Sequence, residues 1–162
     1  MGNKMSLVLS TDHLDKVCAA LTITNAAAAS GMEVSILFTC WGINVVKRKG
    51  ARPRGEGFLD RVVTAEMNIL YPSGSDRLPL SRFNFLGLGS WLMRRRMKAK
   101  GIQSIPEMLA DATDLGVRYI ACDNPMTIMG LRREDLIDEV EAVVGAASYI
   151  KEASDADITL FV

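Results

Sequence analysis

Apolar and polar positions along the chain fall into short blocks that switch between a strand-like and a helix-like period. Residues 5–10 (MSLVLS) form a short apolar run and predict a buried strand. Residues 14–30 are alanine-rich with helical spacing, preceded by Thr11 and Asp12 as N-cap candidates and stopped by Gly31. Residues 33–39 (EVSILFT) predict a second buried strand, and residues 41–49 a short helix ending in a cationic turn at Gly50. Residues 83–100 predict a helix with large apolar residues and a cationic end. Ser104 to Glu107 (SIPE) is a capping-box pattern, so a helix starts there and runs to Leu115, with Gly116 as its stop. Residues 117–121 (VRYIA) predict a third buried strand, and residues 122–130 a loop or short turn. Residues 133–140 predict one helical turn and then a short strand near 138–140, residues 143–153 a helix, and residues 158–162 a terminal strand.

Residues 51–57 (ARPRGEG) predict a loop from their Pro and Gly content. Residues 58–70 have weak helical periodicity and residues 71–79 are polar, so 51–82 reads as an insertion or lid. Strands alternating with helices predict βαβ units: an α/β chain with a mostly parallel sheet covered on both faces. No internal repeat or low-complexity tract divides it, so residues 1–162 are expected to form one domain.

Composition narrows the function. At 162 residues the chain can bury about two-thirds of its unfolded surface without disulfides or metals. Nineteen Lys and Arg balance nineteen Asp and Glu, which argues against a nucleic-acid partner. The middle of the chain is basic and the last third acidic. No apolar stretch reaches the ~20 residues that span a bilayer. Phe83, Phe85, Leu86, Trp91, Leu92 and Met93, beside Arg94, Arg95, Arg96, Lys98 and Lys100, have the character of an interfacial helix. The same pattern suits packing in a homo-oligomer or covering a site, and these readings are preferred, so no membrane partner is expected. The first residues run directly into a strand-like segment, and together with the cysteine pattern this leads us to expect a cytoplasmic location.

With one histidine, His13, a multi-histidine zinc site is impossible within the chain, and no GxSxG elbow is present. Gly87-Leu88-Gly89 begins a GxGxxG, but Leu92 takes the third glycine position, and there is no GxxxxGK[ST]. Neither a metal nor a cofactor is expected.

The three cysteines, Cys18, Cys40 and Cys122, form no CxxC and read as reduced thiols. Cys18 falls inside the first helix and reads as a small core residue. Cys40 ends the second strand, at the edge where open α/β sheets bind ligands, and is either a pocket-wall or core residue or a functional thiol. Cys122 follows the third strand at the same edge and precedes a turn containing Pro125, Met126 and Met129. Its reactivity as a thiolate would be helped by nearby cations, for which Arg118 and Arg132 are candidates, and opposed by Asp123.

Residues 37–47 (LFTCWGINVVK) resemble the strand-end motif FFTFWGL of the DsrE/DsrF-like family. Residues 86–98 (LGLGSWLMRRRMK) resemble that family's Gly-, Met- and Lys-rich central helix, and residues 117–130 (VRYIACDNPMTIMG) its strand followed by an Ala-Cys-x-Met-Ser-Met-Asp-x-Met-Gly turn. Residues 134–149 (EDLIDEVEAVVGAASY) resemble its Glu-Leu-x-x-Gly-Val-Glu-x-Gly-Gly-Val-Ala-x-Tyr stretch. The resemblance covers nearly the whole chain in order. It implies a flavodoxin-like three-layer α/β/α sandwich, homo-oligomers, and sulfur relay through a cysteine persulfide, with the family cysteine falling on Cys122. It also implies sulfur donor and acceptor proteins, or small thiols, as partners. Cys40, Trp41, Gly42, Asn124, Met126 and Met129 would line the pocket. Two departures stand out: Asn124-Pro125-Met126-Thr127 replaces Met-Ser-Met-Asp, and Cys40 replaces a phenylalanine. The expected function is that of a sulfurtransferase or sulfur carrier. The alternative is a non-enzymatic small-ligand-binding or regulatory α/β module in which Cys122 only lines the crevice.

Overall fold

The computed structural model describes residues 3–51, 62 and 74–162. Among the described residues, five strands form one sheet in the order β4-β3-β2-β1-β5: β1 (Lys4–Leu9), β2 (Glu33–Phe38), β3 (Arg118–Cys122), β4 (Val140–Val144) and β5 (Ile158–Phe161). Every neighbouring pair is parallel. The α-helices whose bounds are described are α1 (Leu14–Ala29), α2 (Leu88–Ala99), α3 (Ile105–Asp114), α4 (Asp123–Ile128) and α5 (Ala146–Ala153).

The alternation of side chains along each strand divides the core in two. Met5, Leu7 and Leu9 of β1, Val34, Ile36 and Phe38 of β2, and Tyr119 and Ala121 of β3 enter the larger cluster. That cluster also takes Leu14, Val17 and Leu21 of α1, Met108 and Leu109 of α3, and Met126 of α4. The intervening residues Leu37, Ile120 and Cys122 enter a smaller cluster with Tyr149 of α5, against which Val8 and Val144 pack. Helices α1, α3 and α4 therefore lie on one face and α5 on the other, giving the flavodoxin-like α/β/α sandwich. Right-handed crossovers explain this: β1 to β4 are laid down in one direction, and the return from β4 to β5 crosses the opposite face. In flavodoxin order the second strand lies beyond β1; here the last one does.

Several sequence expectations shift at element ends. Helix α1 is capped by neither Thr11 nor Asp12; its N-cap is His13, whose N–H and Nδ1 both engage Thr11 Oγ1, at 3.2 and 2.8 Å. The capping box of α3 is present, with Ser104 N donating to Glu107 Oε2 at 2.7 Å. Residues 41–49 are not one helix. They form a 3-10 turn over Cys40–Val45, and Lys47 then bridges to Leu136. The helix expected over 83–100 begins only at Leu88, because Phe83, Phe85 and Leu86 all have positive φ.

The helix expected over 143–153 starts at Ala146. Val143 and Val144, β-branched, extend β4 up to Gly145, which is the N-cap. Residues 122–130 hold the helix α4 in place of a loop. Pro125 occupies its first turn, where its missing N–H would have no intrahelical partner. The insertion or lid expected at 51–82 falls mostly on residues outside the described ones. Among the described residues, no helix is long and apolar enough to cross a membrane.

Candidate functional site at the carboxyl edge of β3

The chain leaves β3 and β4, which are neighbours, towards opposite faces of the sheet. After Cys122 it enters α4, whose Met126 belongs to the larger cluster; after Val144 it enters α5, whose Tyr149 belongs to the smaller. In open α/β sheets, a divergence of this kind is where ligands bind, beyond the carboxyl ends of the strands. Cys122 is the last residue of β3, pairs with Val144, and is the N-cap of α4. Its side chain is 5% exposed, on the α5 side of the sheet. The carboxylate of Asp123 faces the start of α5: a β-carbon at Gly145 would stand 3.5 Å from Oδ2.

The α5 face of the sheet carries a short polar chain beneath this edge. Tyr149 Oη and Ser6 Oγ are 2.7 Å apart, and Ser35 Oγ donates to Ser6 Oγ at 3.3 Å. Burial pushes the Tyr149 phenol above its ordinary pKa, while the bond to Ser6 acts the other way. Tyr149 is the one fully buried side chain of α5, so it fixes that helix against the sheet beside Cys122.

Beside Cys122, the end of β2 carries the second thiol. Leu37 pairs with Ile120 and Phe38 with Ala121, so the next residue, Thr39, comes level with Cys122. Thr39 is still extended, and its N–H donates to Leu9 O at 3.0 Å. Cys40 follows with φ of 47°, in the left-handed region that favours glycine, and is exposed. Thr39 Oγ1 donates to Cys40 Sγ at 3.9 Å. Trp41 is partly exposed next to it. Gly42 is buried because no side chain fits there: a β-carbon would stand 2.1 Å from Leu9 O.

The residues expected to line one pocket are thus divided. Cys122, Cys40, Trp41 and the exposed Asn124 lie at the carboxyl edge. Met126 and Met129 are buried in the larger cluster on the far side of the sheet from Cys122. Cys18 is partly buried against that larger cluster. Arg118 stands at the start of β3, a strand's length from Cys122, where it bonds Glu141 and Glu152 at 3.1 and 2.8 Å. Arg132 is exposed, with its N–H bonded to Asp135 Oδ2.

Sequence reading did not single out Thr39, Tyr149 or Lys47. Lys47 is 4% exposed; burial lowers its pKa, and Asp135 opposes that shift. Strand alternation from Leu37 would have found Thr39. Nothing in the sequence marks Tyr149 as the anchor of α5. Among the described residues, no group of three or more His, Cys, Asp or Glu is disposed to hold a metal.

A parallel α/β/α sandwich with a cysteine at the carboxyl end of its third strand defines the class. The model of the DsrE/DsrF/DrsH-like family matches residues 1–161, and the chain belongs to that family. It is 32% identical over 159 residues to the uncharacterized protein YrkE of Bacillus subtilis strain 168, covering 98% of this chain and 96% of that one. It is 28% identical over 163 residues to the sulfur carrier protein DsrE2 of Allochromatium vinosum, covering 98% of each. Two solved structures share the fold at 13% identity. MTH1491 of Methanobacterium thermoautotrophicum, a protein of unknown function, superposes with a TM-score of 0.55 over 97% of both chains. YchN of E. coli does so with 0.54 over the whole of both.

Proposed function

We propose that this chain is a sulfur carrier that holds sulfane sulfur as a persulfide on Cys122. The observation that supports this most is the position of that thiol at the point where the β3 and β4 connections diverge. The similarity to a protein named as a sulfur carrier agrees with it. In the loading step the Cys122 thiolate attacks the outer sulfur of a donor persulfide. A new S–S bond forms, the donor's S–S bond breaks, and the donor leaves as a thiolate. Unloading is the same exchange with an acceptor thiolate, so neither step is a net oxidation. The chemistry requires reduced thiols, in keeping with a cytoplasmic location.

The test is intact-mass analysis after incubation with polysulfide, followed by alkylation and peptide mapping. The added sulfur should be on the Cys122 peptide, and stable loading should fall in the Cys122→Ser variant. Sulfur found only on Cys18 overturns the reading.

The burial of Cys122 favours a second reading, in which the thiol merely lines a small-ligand crevice. In that case Cys122 resists persulfide formation even at high polysulfide, while the crevice still binds a ligand.

We further propose that the protein is a homo-oligomer. Phe83, Phe85, Leu86, Leu88, Trp91 and Leu92 are all exposed on one short segment, a larger apolar surface than monomers usually leave in water. Light scattering at micromolar concentration checks this, and a monodisperse monomer rejects it. An oligomer that survives Trp91→Glu with Leu92→Glu places the interface elsewhere.

A further inference from the structure

We propose that sulfur leaves Cys122 through Cys40, so that the buried thiol stores the cargo and the exposed one delivers it. The inference rests on the persulfide reading of Cys122. Two features of the geometry point to it.

The first is proximity. The register of β2 on β3 brings Thr39 level with Cys122. A strand spacing of about 4.8 Å and a rise of about 3.3 Å per residue then put the Cys40 and Cys122 α-carbons roughly 6 Å apart. That separation lies within the span of about 4.4–6.8 Å over which two cysteines can be joined directly. The turn Cys40–Val45 packs against β3, as this requires. Thr39, two residues after Leu37, has its side chain on the same face as Leu37 and Cys122. Thr39 Oγ1 donates to Cys40 Sγ at 3.9 Å, which keeps the Cys40 sulfur near that side chain.

The second feature is the contrast in access. Cys122 is buried under the α5 side of the sheet, where a protein acceptor cannot reach it without local opening. Cys40 is exposed. It is also held at positive φ, a conformation that non-glycine residues adopt rarely and that concentrates at functional sites.

The step is a transpersulfidation. The Cys40 thiolate attacks the outer sulfur of the Cys122 persulfide. One S–S bond forms on Cys40, the S–S bond on Cys122 breaks, and Cys122 leaves as the thiolate. The oxidation state of the pair is unchanged, and no further reactant is needed. An acceptor thiolate then takes the sulfur from Cys40 by the same exchange.

Two measurements on the full chain test this. In the first, the polysulfide-loaded protein is mixed with reduced thioredoxin as a protein acceptor, and the remaining persulfide is mapped over time. In Cys40→Ser, persulfide should accumulate on Cys122 and transfer to thioredoxin should slow by roughly tenfold or more, the scale on which a lost positioned group registers. Cys40→Gly, which suits the positive φ, should behave the same and excludes a folding defect. Transfer at the wild-type rate from either variant overturns the proposal while leaving the persulfide reading intact. A wild-type Cys122 that never loads overturns both. In the second measurement, diamide oxidation of the Cys18→Ser variant should give an intrachain Cys40–Cys122 disulfide by non-reducing peptide mapping. Failure to join the two thiols also overturns the proposal.

Discussion

Replacing Tyr149 separates the hydrogen bond that fixes α5 from the ring that covers the face carrying Cys122. Tyr149→Phe removes only the hydroxyl, whose partner Ser6 keeps its contact with Ser35. The expected loss is about 1 kcal/mol, the net worth of an ordinary buried hydrogen bond. Tyr149→Ala removes the one buried side chain of α5 and leaves a cavity in a cluster of four buried residues, at a cost of about 3–5 kcal/mol. If Cys122 reacts with solvent reagents only when α5 lifts locally, its alkylation follows the population of that opened state. A factor of ten per 1.4 kcal/mol then predicts about fivefold faster alkylation in the Phe variant and at least about a hundredfold in the Ala variant. The assay is urea unfolding together with timed iodoacetamide labelling, read on the Cys122 peptide by mass spectrometry. Alkylation of wild-type Cys122 at the rate of free cysteine refutes the reasoning. So does an Ala variant that is destabilised as expected but labels no faster.

Gly42→Ala should destabilise the fold by at least about 1–3 kcal/mol in urea unfolding, because its β-carbon would meet the backbone of Leu9 and no flexible side chain can yield. Burial pushes the Tyr119 phenol up to about 12 from an ordinary 10.0. The folded state therefore holds its proton more tightly: this contribution is complete below pH 10.0 and is lost as pH rises through about 12. Tyr119→Phe should flatten the loss of stability across that window, and an unchanged alkaline slope counts against it. Thr24→Val should be neutral or stabilising by up to about 1 kcal/mol in thermal unfolding, since Thr24 Oγ1 is buried without a hydrogen-bond partner among the described residues. A clear loss of stability would mean that the hydroxyl is satisfied after all.

The legible parts of the fold are those where one local rule decides. The capping box at Ser104 and Glu107 set the start of α3, and glycines with positive φ, Gly31 and Gly116, follow α1 and α3 as their positions suggested. Where two rules compete, the reading slipped. Residues 143–153 have apolar spacing that suits a helix, yet pairing with β3 keeps Val143 and Val144 in the sheet. In residues 83–87 the apolar side chains suggest helix. Gly89, whose β-carbon position lies 1.8 Å from Phe83 O, shows instead the chain folding back on itself.

The site was legible to the level of the sheet edge and no further, because both faces of this sheet are covered. In a half-solvated strand, polar residues mark the outer face and fix which side each neighbour occupies. Tyr119, Ile120, Ala121 and Cys122 are all buried, so β3 offers no such mark. Cys122 and Met126 therefore look like members of one pocket in the sequence, four residues apart. In the fold, β3 sends Cys122 towards α5, and the turn into α4 sends Met126 towards α1 and α3. What fixes the side of Cys122 is a long-range fact: the return connection from β4 crosses the face opposite to all the others. The same fact makes β3 and β4 the pair whose connections diverge, so the burial of the thiol and its position at the point of divergence have a single topological cause. On the proposed relay, an acceptor for the Cys122 sulfur would meet the sheet edge first, and there the exposed thiol is Cys40.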